Sequence, residues 1–339
     1  MSERRRILSI DGGGVRGIIP AIWLAELERL TRKPTRDHFD LLAGTSTGAV
    51  IAGALAAGMS AQELVDLYRE RGRDIFAKLP LLGQVVRLFT GTLYSTNTLN
   101  RILREELKAK TGTPDWVLHD ITNDILITAK RLGDGQPYYF VKDRPDEKPG
   151  KTDKLLLSDC VTASAAAPTY FAPWLIESLA SKTPDGQPIS GEMVDGGTGV
   201  AGNPVYQACV EAFEFNPKKY VADASTIVVS LGTGRFLGRQ RPRSLVSWLF
   251  WILSELLRSP GEQQTELVQR HYPKARFYRI DVALKRDIGL DSIKDLDELS
   301  EIAMKHLPEV NWQAILAGGV EEHVVGPDNF RPKSYLKAV

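Results

Sequence analysis

The amino-acid sequence predicts an α/β fold of three layers, α/β/α, in which helices cover both faces of a mostly parallel central sheet. Six short apolar runs alternate with segments of helical apolar spacing, which is the pattern of strands joined by helical crossovers. Glycine-rich loops directly follow the first two runs, and open α/β sheets place their ligand crevice at the carboxyl ends of strands. The candidate strands are residues 6–10, 39–43, 124–129, 191–194, 226–230 and 276–280.

The first candidate strand, residues 6–10, runs into a loop in which residues 12–14 are all glycine. Residues 18–30 then carry the apolar spacing of a helix, so the loop lies at a helix N-terminus. Unpaired backbone N–H groups and the positive end of the helix dipole both favour an anion at such a position. The sequence therefore predicts a site for negative charge directly after the first strand.

The same loop also fits a dinucleotide-binding fingerprint, because Gly12, Gly14 and Gly17 match the pattern G-x-G-x-x-G between a strand and a helix. That fingerprint requires an acidic residue at the end of the second strand, where it binds the ribose. Asp37 and Asp40 fall at the beginning of the second candidate strand instead. We therefore expect the loop to stabilise a different anion.

The second candidate strand, residues 39–43, is followed by Gly-Thr-Ser-Thr-Gly at residues 44–48 and by small, helix-compatible residues at 49–57. The pattern G-x-S-x-G between a strand and a helix is typical of a nucleophile elbow, a sharp turn that exposes its central serine. Ser46 is thus the candidate nucleophile. The alternative is an ordinary turn in which the pattern occurs by chance.

A serine that attacks a carbonyl group needs preorganised N–H donors where negative charge develops on the oxygen. We predict that Gly12, Gly13 and Gly14 form this oxyanion hole, with the amides of Gly13 and Gly14 as the preferred donors. Arg16 follows in the same loop, and its guanidinium is predicted to orient the loop. The alternative for Arg16 is a plain surface role.

None of the five histidines lies in a sequence context typical of a catalytic base. A carboxylate is the better candidate for activating Ser46. Asp195 follows the short run at residues 191–194 and precedes two glycines, which allow its carboxylate to approach another backbone closely. The alternative for Asp195 is an Asp-Gly-Gly turn between two strands. The histidines are His38, His119, His271, His306 and His323.

Together these segments resemble the patatin-like phospholipase family. The resemblance rests on the loop at residues 11–17, the elbow at residues 44–48 and the Asp-Gly-Gly sequence at residues 195–197, in the family's order. It implies a dyad of Ser46 and Asp195 without a histidine, and an oxyanion held by the glycine loop. It also implies lipid acyl hydrolase activity on glycerophospholipids, with no metal or other cofactor.

The resemblance also bears on the extent and regulation of the protein. We expect one domain over residues 1–339, with the motif-bearing core at about residues 6–234. Gly202 departs from the family, many members of which have asparagine there, and this affects only local loop geometry.

The chain is similar in size to compact bacterial members that defend against phage and are switched on by cyclic oligonucleotides, which makes such a nucleotide a candidate activator. The alternative is a catalytically silent fold that senses a lipid or a nucleotide.

Two apolar segments are candidates for a connection to the membrane. Residues 244–258 predict an apolar helix that is too short to span a bilayer, and the arginines before it suit a lipid headgroup boundary. Residues 75–93 predict a lid beside the site. The alternatives are a core or dimer helix in the first case and ordinary packing in the second. The predicted membrane contacts are Trp248, Phe250, Trp251, Arg239 and Arg241.

Composition narrows the partners and the compartment. With 43 basic and 42 acidic residues the formal net charge is +1, which argues against general binding to DNA or RNA polymers. Cys160 and Cys209 form no metal-type pair and are expected to be free thiols. The N-terminus lacks the apolar core of a signal peptide, so we expect a cytoplasmic protein that binds the inner membrane face when active. A homo-oligomer is compatible with the sequence.

Overall fold

The computed structural model describes residues 4–76, 92–142, 152–199, 202–236, 243–244, 248, 251–252 and 263–319. Most of the predicted lid at residues 75–93 and of the predicted apolar helix at residues 244–258 lies outside the described residues, as do Arg239, Arg241 and Phe250. Among the described helices, none has the length and apolar character needed to cross a bilayer.

Helices and strands alternate along the described chain. The α-helices are α1 (Ile18–Thr31), α2 (Thr47–Ala56), α3 (Ala61–Glu70), α4 (Gly72–Ile75), α5 (Thr96–Thr111), α6 (Leu157–Ala165), α7 (Val205–Val210), α8 (Leu296–Lys305) and α9 (Trp312–Ala317). The strands are β1 (Arg5–Ile10), β2 (Leu41–Gly44), β3 (Asp124–Arg131), β4 (Pro137–Val141), β5 (Trp174–Leu175), β6 (Ser181–Lys182), β7 (Pro188–Ile189), β8 (Glu192–Asp195), β9 (Thr226–Leu231), β10 (Arg235–Phe236), β11 (Arg276–Ile280) and β12 (Ala283–Leu284). Residues 263–271 are also helical.

The main sheet has a parallel part with the strand order β11-β9-β1-β2-β3. After β1 the chain builds β2 and β3 on one side, and later it builds β9 and β11 on the other. The strand order therefore changes direction at β1, and this is where open α/β sheets form their ligand crevice. The glycine loop directly follows β1 and therefore lies at this point of the sheet.

The other part of the sheet is antiparallel and brings two strand ends together. β4 runs antiparallel along one side of β3 and β8 along the other, so that Ala129 lies opposite both Tyr138 and Asp195. β2 occupies the same side of β3 as β8, but it pairs with Asp124 through Ile127 in the first half of β3. The carboxyl ends of β2 and β8 consequently point towards each other across the middle of β3.

Apolar side chains fill both faces of this sheet. Leu8 and Ile10 of β1 belong to the larger core, together with apolar residues of α1, α2, α3, α5, α6 and α8. Ile7 belongs to the core on the other face, where it is joined by Val205 of α7 and by Val268. Because successive residues of a strand point to opposite faces, helices cover the sheet on both sides. The predicted three-layer α/β/α fold is confirmed.

The six predicted strands all occur, with boundaries within two residues of those expected from the apolar runs. The largest difference at a strand start is at β2, because Phe39 is buried but precedes the paired residues. The short antiparallel strands β4 to β7 were not predicted. Residues of β4 are mostly half-buried or exposed, although the strand is rich in aromatic residues.

Candidate active site

Ser46 lies in the tight turn between the end of β2 at Gly44 and the beginning of α2 at Thr47. Its backbone has φ 56° and ψ −123°, a conformation that costs a non-glycine residue about 1–3 kcal/mol. Close approach explains the flanking glycines, since a Cβ on Gly44 would lie 2.2 Å from the carbonyl oxygen of Gly48. The turn therefore has the geometry of a nucleophile elbow.

Buried hydroxyl groups hold the elbow in place. The backbone N–H of Ser46 donates a hydrogen bond to Oγ of Ser164 at 2.9 Å. Oγ1 of Thr45 forms a second hydrogen bond, 2.7 Å long, with Oγ1 of Thr128 on β3. Ser164 lies on α6 and is fully buried. Nothing in the sequence indicates this contact, because a lone serine among small helical residues carries no signal of a distant partner.

Asp195 is the last residue of β8 and is fully buried. Its backbone N–H donates to the carbonyl oxygen of Ala166 at 3.0 Å. Its Oδ1 accepts a hydrogen bond from the N–H of Gly197 at 2.7 Å, whereas Oδ2 has no partner at normal hydrogen-bond geometry within the described ranges. The Ser46 hydroxyl lies close enough to this carboxylate to lower its pKa. The structure thus brings the two predicted dyad residues together.

The surroundings of Asp195 raise its pKa to about 6. Burial is the largest cause, because desolvation disfavours the charged carboxylate. The nearby Ser46 hydroxyl and the hydrogen bond from the Gly197 amide lower the pKa, but by less. Hydrogen bonds between a nucleophile and its base are often long or poorly aligned before a substrate binds. A carboxylate that titrates near pH 6 beside a serine hydroxyl has the chemistry of a general base.

The glycine loop after β1 passes beside the elbow. A Cβ on Gly12 would lie 3.2 Å from Cβ of Ser46, so a larger residue would press on the nucleophile. The N–H of Gly12 donates to the carbonyl oxygen of Gly202 at 2.8 Å, and Gly12 therefore has no free amide to offer an oxyanion. Within the described residues we find no hydrogen bond from the N–H groups of Gly13 and Gly14, which leaves these two as donors.

Contacts from neighbouring segments fix the rest of the loop. Gly14 has φ 58° and begins a short 3-10 helix. Arg16 donates from Nε to the carbonyl oxygen of Gly13 at 3.2 Å, which is the contact expected of a residue that orients the loop. The N–H of Val15 donates to the carbonyl oxygen of Leu290 at 2.8 Å. The same carbonyl oxygen would lie 2.0 Å from a Cβ on Gly14, so this position has no room for a side chain.

The histidines in the described part of the chain have partners away from Ser46. Hydrogen bonds join His38 to Thr31, His119 to Asp153 and His271 to Tyr206, and Nδ1 of His306 lies 2.9 Å from Oε2 of Glu309. His323 lies outside the described residues. Cys160 and Cys209 are buried free thiols, as predicted. The described residues contain no group of three or more His, Cys, Asp and Glu side chains that could hold a metal ion.

Two of the predicted membrane contacts, Trp248 and Trp251, are described. Their rings are 5.4 Å apart in an edge-to-face arrangement. Trp248 is 42% exposed and the nearby Ile252 is 47% exposed, so large apolar side chains are presented to solvent here. Contact with a membrane stays a prediction.

The site combines a strained serine after a parallel strand, a glycine loop at a helix N-terminus and a buried aspartate. This combination on a three-layer sheet defines a class of α/β protein with a nucleophile elbow and a carboxylate, instead of a histidine, beside the serine. A sequence model described as patatin-like phospholipase matches residues 8–209, which contain all of these elements. The chain belongs to the patatin-like phospholipase family.

Named relatives agree with this family. A cGAMP-activated phospholipase of Escherichia coli is 33% identical over 239 residues, which cover 68% of this chain and 62% of the relative. A cGAMP-activated phospholipase of Vibrio cholerae is 33% identical over 199 residues, 55% of this chain and 54% of the relative. Calcium-independent phospholipase A2-gamma of Mus musculus is 29% identical over 315 residues, 89% of this chain and 38% of the relative. The matched segments span less than two thirds of each relative's length.

Proposed function

We propose that this chain hydrolyses acyl esters of glycerophospholipids, as a phospholipase of the A type, with Ser46 as nucleophile and Asp195 as general base. One observation carries the proposal: the strained elbow sets Ser46 against a buried carboxylate whose pKa is about 6. No basic side chain forms an ion pair with Asp195 within the described ranges. Burying such a carboxylate reduces stability, and a purely structural role gives no reason for that cost.

The proposed reaction has two halves, acylation of Ser46 and hydrolysis of the acyl group from it. Oγ of Ser46 attacks the ester carbonyl carbon while its proton passes to Asp195. The N–H groups of Gly13 and Gly14 stabilise the charge on the carbonyl oxygen. When the bond to the glycerol oxygen breaks, that oxygen takes the proton from Asp195 and an acyl group remains on Ser46. A water molecule then attacks the acyl carbon and gives a proton to Asp195. When the bond between this carbon and Oγ of Ser46 breaks, the fatty acid leaves and Oγ takes the proton from Asp195.

The relatives support the substrate class. Those from E. coli, V. cholerae and M. musculus are each named phospholipases, and the last is named calcium-independent. The dyad and oxyanion loop contain no group that calls for a metal. We therefore expect the same rate of phospholipid hydrolysis with calcium and with a chelator, measured as fatty acid released from vesicles. A rate that requires calcium would contradict this part of the proposal.

A fluorophosphonate probe tests the nucleophile directly, because it reacts with an activated serine. We expect labelling of the native chain at Ser46 and none in Ser46→Ala. Ser46→Ala and Asp195→Asn should each lower the hydrolysis of a short soluble ester by roughly 10³-fold or more, and the double variant should be little worse. Circular dichroism and thermal unfolding check that both variants fold.

Ser300→Ala and Asp124→Asn are matched controls. Ser300 is a buried serine whose hydroxyl donates to a helix carbonyl group. Asp124 accepts hydrogen bonds from Lys219 and Tyr220 at the beginning of β3, away from the site. Both controls should keep nearly normal activity. A folded native chain that is neither labelled nor active would support a lipid or nucleotide sensor instead, and an active Asp195→Asn variant would assign the base to another group.

The proposal includes activation by a cyclic oligonucleotide, with antiviral defence as its setting. Two of the relatives are named cGAMP-activated, and this is the support for it. Addition of cGAMP should raise vesicle hydrolysis roughly 5- to 150-fold, the range of ordinary couplings between two sites. Unchanged hydrolysis would remove cGAMP as an activator and leave the hydrolase itself untouched.

A further inference from the structure

A buried ion cluster lies beneath the glycine loop and takes no part in the proposed reaction steps. Arg279 of β11 donates to Asp11 from Nη1 to Oδ1 at 2.9 Å and from Nη2 to Oδ2 at 2.6 Å. Nη2 also donates to Oδ2 of Asp281 at 3.1 Å. Nη1 donates to Oγ of Ser230 on β9 at 2.8 Å. The cluster thus joins the carboxyl ends of β1, β9 and β11.

Burial makes this cluster costly. Arg279 is 6% exposed and Asp281 is 2% exposed. Burial raises the pKa of Asp11 to about 6, even though the adjacent Arg279 acts to lower it. Asp281 and Arg235 are the other charged groups that act on Asp11. Because apolar replacements of buried ion pairs are often neutral or stabilising, stability alone does not account for such a cluster.

The cluster holds both sides of the glycine loop. On one side, Asp11 immediately precedes Gly12. On the other, Oδ1 of Asp281 accepts hydrogen bonds at 2.9 Å from the backbone N–H groups of Gly234 and Val282. The turn that ends at Gly234 contains Thr233, whose Oγ1 donates to the carbonyl oxygen of Gly12 at 2.7 Å. Movement of Arg279 or Asp281 would therefore displace the loop, either through Asp11 or through Thr233.

Thr233 also limits where the loop can lie. A Cβ on Gly13 would be 2.2 Å from Oγ1 of Thr233, so the two chain segments are packed directly against each other. The N–H of Gly13 is one of the two free donors of the loop. The position of this amide thus depends on the turn that Asp281 fixes.

We infer that Arg279 and Asp281 are positioning residues that hold the amides of Gly13 and Gly14 where the oxyanion forms. The inference rests on the proposed function, because it concerns the same reaction. Neither residue touches the substrate. Their contribution belongs to the transition state, since a displaced donor weakens stabilisation of the developing charge more than it weakens substrate binding.

Three variants test the inference by separate changes. Arg279→Lys keeps the positive charge but loses the paired contact with Asp11. The double variant Asp11→Asn with Arg279→Met removes one charge of each sign, and Asp281 keeps its two backbone donors, Gly234 and Val282. Thr233→Val removes only the hydroxyl that bonds to Gly12. If the other two variants do not fold, this one still tests whether the turn held by Asp281 positions the glycine loop.

Each folded variant should lower kcat on a short soluble ester by roughly 10- to 100-fold and leave KM within about twofold, because an oxyanion donor acts mainly on the transition state. The inhibition constant of a trifluoromethyl ketone, which forms a tetrahedral adduct with the serine, should rise by the same factor as kcat falls. A loss of general stability would not make these two changes equal.

Arg5→Met with Asp40→Asn is the control. Arg5 and Asp40 form an ion pair with Nη1 and Oδ1 2.7 Å apart, at the opposite end of β1 from Asp11. This variant should keep both kcat and the inhibition constant. Folded test variants with normal kcat, or with a raised KM alone, would overturn the positioning role. A native chain that a fluorophosphonate fails to label would overturn the proposed function instead, so the two failures are distinguishable.

Discussion

A fully buried aspartate with a pKa near 6 is the residue on which the proposed chemistry depends. Asp195 has one backbone donor, Gly197, and the Ser46 hydroxyl beside it. Full solvation or a nearby cation would lower its pKa towards about 3.9, the value of a free side chain. The same desolvation that makes Asp195 a stronger base also makes the folded protein less stable, and each effect has its own measurement.

The activity should fall at acid pH as Asp195 takes up a proton. A general base works in its deprotonated form, so kcat/KM on a soluble ester should decrease about tenfold per pH unit below roughly pH 6. Asp11 also has a pKa of about 6, so its titration has to be distinguished from that of Asp195. The Asp11→Asn variant should be slower, because it disturbs the glycine loop, but its rate should show the same decrease at acid pH. A limb near pH 4 in the native chain would contradict an elevated pKa at Asp195.

Replacing Asp195 should stabilise the fold at neutral and alkaline pH. The folded pKa of about 6 lies above the unfolded value, so the native chain loses stability as the pH rises from about 4 through 6. Asparagine does not titrate. The unfolding free energy of Asp195→Asn relative to the native chain should thus increase by about 2–3 kcal/mol between pH 4 and pH 8, measured by urea denaturation. A difference that does not change with pH would contradict this.

At the next scale, the elbow and the glycine loop work as a pair of strand-to-helix turns. Each follows a parallel strand, and Gly12 brings the loop against Ser46. The strain at Ser46 is held by contacts from α6 and β3. These turns are therefore fixed by tertiary contacts, as a preorganised site requires.

Gly13→Ala and Gly14→Ala should lower kcat by roughly 10²-fold or more, with a smaller change in KM, because the added methyl group displaces an oxyanion donor. At Gly13 it meets Thr233, and at Gly14 it meets Leu290 in a backbone conformation with positive φ. Gly112→Ala is the control, since Gly112 has φ 81° but open space around it. A raised KM with normal kcat would make the loop a substrate-binding element.

Over the whole molecule, the head-to-head arrangement of β2 and β8 brings Ser46 and Asp195, the proposed dyad, together. Gly44 at the end of β2 lies opposite Ile127, and Asp195 at the end of β8 lies opposite Ala129. One residue of β3, Thr128, separates the two levels, and it bonds to Thr45 in the elbow. Residues far apart in the sequence thus meet because both strands end against the same short stretch of β3.

A test of lipid docking by the whole protein is provided by the ring pair of the exposed Trp248 and the half-buried Trp251. Trp248→Glu with Trp251→Glu should leave hydrolysis of a short soluble ester near normal and strongly reduce activity on vesicles, because only vesicles require burial of these rings at the lipid boundary. Leu175→Glu changes another half-exposed apolar residue and should have no such effect. If both activities were lost and unfolding were no longer cooperative, the two tryptophans would belong to the core.

The sequence by itself determined the layered α/β fold, its main strands, the elbow and the glycine loop, because each depends on residues adjacent in the chain. Only the tertiary structure decided that β8 meets β2 on one side of β3. The same holds for the hydrogen bond that the Gly12 amide donates to the carbonyl oxygen of Gly202. Only the tertiary structure brought Arg279 to Asp11. Apolar spacing specifies which residues are buried but not which strands pair, so contacts across the sheet have no local signal.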